Sequence, residues 1–482
     1  MNWLKQWGGI VLGIVLALLI YITNPFGLET KAVTVLALAA LMITWWVTEA
    51  LPMPVVALTP LVLFPLFQIN SIKQVASGYS DSVIFLFMGG FMIGMAIEKW
   101  NLHRRIALTI VNITGTSGNK IVLGFIVATG LLSMWLSNTA TTMMMFPIAV
   151  SVISVVQENQ SGNVNYKNFA ASIMLVIAYA SNFAGISTII GTPPNVAFAG
   201  FISDKYNYDI QFVDWMLICM PISILLLTAL YFLSTRILFP NNIKANPQTK
   251  LVIKSELAAL GKLSKAEKRV MIIFCTTAAL WIFKDLINKL GIVRLDDTMI
   301  AVAGALALFI SPSGMKEKDT QLLVWEDTTK MAWGILLLFG GGIALASALE
   351  SVGLIEALGK WVADFSGGGG IMLVILITVI SIFISEVMSN IAQVIVFAPV
   401  VAGISDALDM NPLLLGLPMT LAASCASMMP MGTPPNAIVF ASGHIRLKQM
   451  VVTGFIMNIV SIVLIVLFCW YVVPMLIPPI SK

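Results

Sequence analysis

Gly191-Thr192-Pro193-Pro194-Asn195 recurs 241 residues later as Gly432-Thr433-Pro434-Pro435-Asn436. Both copies lie inside long apolar stretches. A Pro-Pro pair lacks two N–H donors and its rings clash with the preceding turn, so neither copy continues a helix. Each is predicted to break a membrane helix in mid-bilayer. Unwound backbone at that depth is tolerated only where protein buries it or it lines a cavity. Two such breaks, one per half of the chain, point to the binding site of a secondary transporter.

The sequence around them fits a membrane. Of 482 residues, 59% are hydrophobic and 10% charged, and mean hydropathy is +0.95. Soluble proteins carry about 25% charged residues, so the chain is read as a polytopic all-α protein of the lipid bilayer. The net charge of +4 comes from loops between apolar spans, which excludes a nucleic-acid partner. Cys219, Cys275, Cys425 and Cys469 are scattered without CxxC or Cys/His spacing, so no disulfide framework or zinc site is indicated. The stretch up to Ile22 lacks a small-residue cleavage site and reads as a first transmembrane helix rather than a signal peptide.

Two apolar segments, 120–157 and 370–408, exceed the roughly 20 residues of one span. Each carries a Ser-Asn pair in its middle: Ser137-Asn138 and Ser389-Asn390. Each is either two full spans or one re-entrant hairpin folded at Ser-Asn. The one long polar stretch, 241–267, divides the chain. Adding 252 to a first-half position lands on a like residue in the second: Gly90 on Gly342, Glu98 on Glu350, Ser133 on Ser385, Asn138 on Asn390, Pro147 on Pro399. A constant offset across such residues marks a duplication. Residues 1–30 then form the first transmembrane helix, 31–240 the first repeat, 241–267 a cytoplasmic linker and 268–482 the second repeat.

Basic clusters set orientation. They are Lys99, His103, Arg104 and Arg105; Arg236 through Arg269; Lys316, Lys318 and Lys330; and Arg446 with Lys448. Re-entrant hairpins put all of them on the cytoplasmic face, with the N-terminus. Paired spans leave the same even count of crossings between clusters, so charge alone does not choose. In both cases each repeat crosses an odd number of times. The repeats are then inverted, and the two motif sets meet from opposite faces at the midplane.

Ser133 and Ser137, like Ser385 and Ser389, are four apart, a spacing that places each pair on one helix face. Ser, Asn and Thr offer neutral oxygens to a small hard cation and N–H or O–H donors to an anion. A helix beginning at Ser-Asn would add free N–H groups and a positive dipole end. The plainer reading, small polar residues that glue helices together, suits one isolated Ser-Asn better than two repeat-related copies. At the Gly-Thr-Pro-Pro-Asn motifs, carbonyls freed by the prolines are expected to coordinate a cation, and Thr192 and Thr433 to bond a substrate. Glu49 and Glu386 are intramembrane charges and so functional candidates. Glu49 could instead sit at an interface beside Trp45 and Trp46, and Glu386 could bond within its own hairpin. Glu98 and Glu350, at span ends, read as structural. His103 and His444 lie outside the spans, which argues against a histidine proton relay, and Met143 to Met145 read as packing.

At these residues the chain resembles the divalent anion/sodium symporter family. The resemblance covers nearly the whole length. It includes Trp45-Trp46-Val47-Thr48-Glu49-Ala50, Glu98-Lys99-Trp100-Asn101-Leu102-His103-Arg104-Arg105, Leu132-Ser133-Met134-Trp135-Leu136-Ser137-Asn138-Thr139-Ala140-Thr141, both Gly-Thr-Pro-Pro-Asn copies and Ser385-Glu386-Val387-Met388-Ser389-Asn390. It implies about eleven transmembrane helices plus two re-entrant hairpins, in a homodimer whose transport domain moves as an elevator. It implies Na+-coupled uptake of C4-dicarboxylates such as succinate, malate and fumarate across the inner (plasma) membrane, or of citrate or sulfate in some branches. One Na+ site would use Ser133, Ser137, Asn138 and Gly191. The other would use Ser385, the Met388 carbonyl, Asn390 and Gly432. The anion would touch Ser137, Asn138, Thr139, Thr192, Ser389, Asn390, Thr433 and Pro434. Ile391 departs from the pattern, since many members have Thr there. Some members exchange dicarboxylates without sodium. A channel is disfavoured because the motifs converge on one site rather than ringing an axis. An enzyme is disfavoured because neither a nucleophile with its base nor a pair of membrane aspartates is visible.

Overall fold

The computed structural model describes residues 3–159, 164–245, 247–291, 293–314, 321–357, 360 and 370–476. Lys316 and Lys318 of the third basic cluster lie outside them. The architecture is helical, with one isolated β-bridge, Pro312 to Gln321, among the described residues. Nine described helices are long and apolar enough to cross a membrane.

The chain enters through α1 (Trp3–Thr23), α2 (Thr30–Val47), α3 (Met53–Val56) and α4 (Thr59–Leu66), then α5 (Ile72–Ser77) and α6 (Ser82–Lys99). The amphipathic α7 (Leu102–Thr114) leads into a pair of helices, α8 (Gly118–Ser133) and α9 (Asn138–Asn159). Next come α10 (Val164–Gly185), α11 (Pro193–Tyr206) and α12 (Phe212–Phe232). After the linker helix α13 (Pro247–Ala259) and α14 (Lys265–Lys289), the order recurs. Here α15 (Asp297–Ile310) and α16 (Trp333–Ser351) precede a second pair, α17 (Ile371–Ile384) and α18 (Asn390–Ala407). Then follow α19 (Pro412–Ala423), α20 (Pro434–Phe440) and α21 (Leu447–Tyr471).

Both long apolar segments therefore fold as two helices meeting at Ser-Asn. The expectation that the paired serines share a helix face is not met. Ser133 is the last residue of α8, and Ser137 lies in the turn, where its Oγ accepts from the Ala140 N–H. Ser385 follows the end of α17, and Ser389 precedes α18. A new helix begins at Asn138 and at Asn390 after each turn, leaving its first N–H groups without intrahelical partners.

The Pro-Pro pairs act somewhat differently from expectation too. They open α11 and α20, occupying first-turn positions where no N–H is needed. The unwound backbone lies upstream, between Gly185 and Pro193 and between Ala423 and Pro434. The motif asparagines hold it. Asn195 Nδ2 donates to the carbonyls of Gly185 (3.1 Å) and Thr188 (2.8 Å), and Asn436 Nδ2 to that of Met429 (3.1 Å). Carbonyls that lost helical partners are thus partly satisfied by a residue of the same pentapeptide.

The repeats interlock. α10, buried nearly all round, packs against α8, α9 and α12, and also against α20 of the other repeat. Reciprocally, α11 packs on α18 and α19. A separate apolar cluster joins α2, α3 and α4 to α16 and to Ala392 and Ile395 of α18. Ion pairs gather three of the basic clusters on one side: Lys99 with Asp327 (2.6 Å), Arg104 with Glu256 (2.6 Å) and Arg105 with Glu267 (2.8 Å).

Candidate binding site

Helix ends from both repeats surround one cavity of about 1040 Å³. The turn between α8 and α9 contributes Ser137, Asn138 and Thr139, and the start of α11 contributes Thr192 and Pro194. The second repeat contributes Met388, Ser389, Asn390 and Ile391, then Gly432, Thr433 and Pro434. Every residue expected to touch the anion lines this one space. Ser133, Gly191 and Ser385 lie behind its wall, buried.

The two tips are fixed alike. Ser133 Oγ lies 2.7 Å from Asn138 Oδ1 and 2.9 Å from the Ser181 carbonyl. Ser385 Oγ lies 2.6 Å from Asn390 Oδ1 and 2.5 Å from the Ala423 carbonyl. In each case a serine hydroxyl pins the asparagine of the tip to the end of the broken helix. Gly185 lacks a side chain for a concrete reason: a Cβ there would collide with Asn138 Oδ1.

Three helices of useful length, α9, α11 and α18, begin at this cavity, so their unpaired N–H groups and positive dipole ends favour an anion there. Among the described lining residues the sole Lys or Arg is Lys330, which is exposed, and the lining also carries Glu49 and Glu98. No trio of His, Cys, Asp or Glu able to hold a metal occurs among the described residues. Cation ligands here would be neutral oxygens of Ser, Asn and backbone, which suit a small hard monovalent ion. Asn195 Oδ1 and Asn436 Oδ1, both fully buried, have no hydrogen-bond partner and offer two more such oxygens.

The charged residues resolve differently from one another. Glu49 is exposed, adopts φ +50° just past α2, and lines the cavity beside Trp46. Glu98 lines it too, although its place at a span end read as structural. Glu350 lies elsewhere, 3.8 Å from Lys205. Glu386 is 4% exposed and does not bond within its own helix pair. Its Oε1 accepts from the N–H groups of Ser427 and Met428 (2.9 Å each) and from Asn458 Nδ2 (2.7 Å). Its Oε2 accepts from Met428 (3.1 Å) and Met429 (3.0 Å). The carboxylate therefore ties the unwound stretch before the second Gly-Thr-Pro-Pro-Asn to the tip.

One site residue escaped the sequence reading. Asn182, 2% exposed, lines the cavity and bonds both repeats. Asn138 Nδ2 donates to its Oδ1 (3.4 Å), and its Nδ2 donates to Thr433 Oγ1 (3.1 Å). The signal was present: Ser181-Asn182 repeats the Ser-Asn dipeptide of the tips, nine residues before Gly191.

Comparison with known proteins gives a consistent picture. The sequence profile described as "Sodium:sulfate symporter transmembrane region" matches residues 4–477. The sodium-dependent dicarboxylate transporter SdcS of Staphylococcus aureus strain USA300 is 41% identical over 472 residues, covering 97% of this chain and 91% of the relative. Its counterpart in strain MSSA476 is 40% identical over the same span. Among solved structures, the YdaH transporter of Alcanivorax borkumensis aligns with a TM-score of 0.57 at 12% identity, covering 85% of this chain and 89% of that one. MtrF of Neisseria gonorrhoeae aligns with 0.55 at 11%, covering 85% of each. These last two speak to the fold alone.

Proposed function

The chain belongs to the sodium:sulfate symporter family, and we propose that within it the protein is a Na+-coupled importer of C4-dicarboxylates such as succinate, malate and fumarate. The observation that carries this reading is the single cavity where both Ser-Asn tips and both Gly-Thr-Pro-Pro-Asn motifs meet. A dianion there meets helix N-termini and neutral donors, while Lys330 stands off among the exposed residues. Bound cations therefore supply the missing counter-charge. Ser133, Ser137, Asn138 and Gly191 would hold one Na+; Ser385, Met388, Asn390 and Gly432 the other. The SdcS similarity supports both sodium and dicarboxylate.

The membrane topology belongs to the same reading. α8 has 16 residues and α17 has 14, short of the roughly 20 a span needs. Their partners α9 and α18 count among the nine described helices long enough to cross, so it is the short arms that support two re-entrant hairpins and, with the remaining helices, eleven crossings. The N-terminus and the clustered basic residues then face the cytoplasm. Glu98 and Lys330, close in sequence to the paired Lys99 and Asp327, both line the cavity, which on this reading reaches toward the cytoplasmic face. Hairpins and broken helices would move as one body against α2 to α4 and α16, in a homodimer held by the fixed helices of the plasma membrane protein.

By linkage, sodium tightens substrate binding and substrate tightens sodium binding by the same factor. Calorimetry of succinate binding to purified protein checks this. Affinity is expected only in sodium buffer. The same affinity in choline would favour a sodium-independent exchanger, and binding of sulfate or citrate alone would move the protein to another branch.

A further inference from the structure

We infer that Asn182 is the positioning residue that couples the first cation site to the anion, through a hydrogen-bond relay running in one direction across the two repeats. This rests on the Na+-coupled reading above. The relay starts at Ser133, whose Oγ lies 2.7 Å from Asn138 Oδ1. Asn138 Nδ2 donates to Asn182 Oδ1, and Asn182 Nδ2 donates to Thr433 Oγ1. Thr433 Oγ1 also faces the Asn436 N–H at 3.4 Å. Its oxygen is thus engaged by donors, which leaves its own O–H to donate. Thr433 lines the cavity, so that O–H is available to the anion.

The three side-chain bonds, Ser133 to Asn138, Asn138 to Asn182 and Asn182 to Thr433, point the same way, and the last crosses from repeat 1 to repeat 2. Aligned bonds in a low-dielectric interior polarise one another. A cation on Asn138 Oδ1 would draw electron density from that amide and make its N–H a stronger donor. Asn182 passes the effect on, and the Thr433 hydroxyl becomes the better donor to a carboxylate. The amide of Asn182 is suited to this because it both accepts and donates.

The second repeat lacks the return path. With the offset that relates Ser181 to Ala423 as acceptors for the tip serines, Asn182 corresponds to Ser424. The Ser424 hydroxyl is buried and has no partner. Thr192, the counterpart of Thr433, receives no capping bond, whereas Thr433 accepts one. The hydrogen-bonded link therefore joins the first cation site to the second-repeat threonine, and among the described residues no equivalent link joins the second cation site to Thr192.

The test measures succinate affinity of purified full-length protein at low and at saturating sodium, and takes the ratio. Asn182→Ala should shrink that ratio by about tenfold, within the usual range of coupling factors. Asn182→Leu keeps a similar volume, adds no charge and removes the donor to Thr433, and should likewise shrink the ratio. In Asn182→Ala protein, adding Thr433→Ala should reduce the ratio little further. An equal loss of affinity at all sodium concentrations would overturn the relay and make Asn182 a direct substrate contact. An unchanged ratio in both single variants would overturn it as well. If the wild type itself shows no sodium dependence, the proposed function fails and the relay's role fails with it. Should Asn182→Ala not fold, Asn182→Leu, uncharged and similar in volume, decides the matter alone.

Discussion

In the first repeat the unwound stretch is tied to its tip by a neutral bond: Thr188 Oγ1 donates to the Met134 carbonyl at 2.5 Å. In the second the same job falls to a buried carboxylate, Glu386, which takes donors from Ser427, Met428, Met429 and Asn458. Both tips hold their asparagines with the same serine bond, and both motif asparagines brace their own break. The two halves thus share the tip geometry and differ in what anchors it. A buried carboxylate, Glu386, braces one, and a bridging amide, Asn182, belongs to the other.

The largest effect should come from the anchor. Glu386→Gln puts an NH2 where N–H donors converge and strands several of them. Leaving buried N–H donors unpaired in this way costs about 1–3 kcal/mol each. Thr188→Val in the first repeat loses one neutral bond, about 0.5–1.5 kcal/mol. Thermal unfolding of the purified variants ranks them, and equal shifts would show the two anchors to be equivalent despite their chemistry.

The tips come next. Asn138→Ala and Asn390→Ala each leave a buried partner unsatisfied at about 1–3 kcal/mol, or roughly ten- to hundredfold in affinity. Asn138→Ala should be the worse, because Asn138 also feeds Asn182. Succinate uptake at matched expression measures this. Normal transport by either variant would put the site elsewhere.

The smallest effect belongs to the side chains that follow the tips, Thr139 and Ile391. A hydroxyl lost at one end is worth about 0.5–1.5 kcal/mol, so transport should survive with altered preference. Ile391 lines the cavity and offers an apolar face to methylenes. Ile391→Thr should shift competition profiles away from succinate and toward smaller or more polar anions. An unchanged profile would remove Ile391 from the substrate's surroundings.

Much of this was legible in the chain. Local chemistry places helix starts at the Pro-Pro pairs and at the Ser-Asn tips, because prolines fit a first turn that needs no N–H and helix starts want polar caps, whatever surrounds them. The duplication could be read because offsets survive in residues that backbone geometry restricts. The sequence could not say whether Ser133 and Ser137 share a helix, since a turn of four residues competes closely with one more helical turn. It left Glu386 open because its partners, Ser427 to Met429 and Asn458, lie 41 to 72 residues away. Asn182 carried the Ser-Asn signature but sat inside an apolar helix, where a lone amide reads as packing. Its meaning depends on Thr433, 251 residues off. The sequence by itself determined where the backbone must open. Only the packing of α20 against α10 decided which openings meet, because a hydrogen bond across the repeats exists only once both backbones are held within about 3 Å of one another's polar atoms.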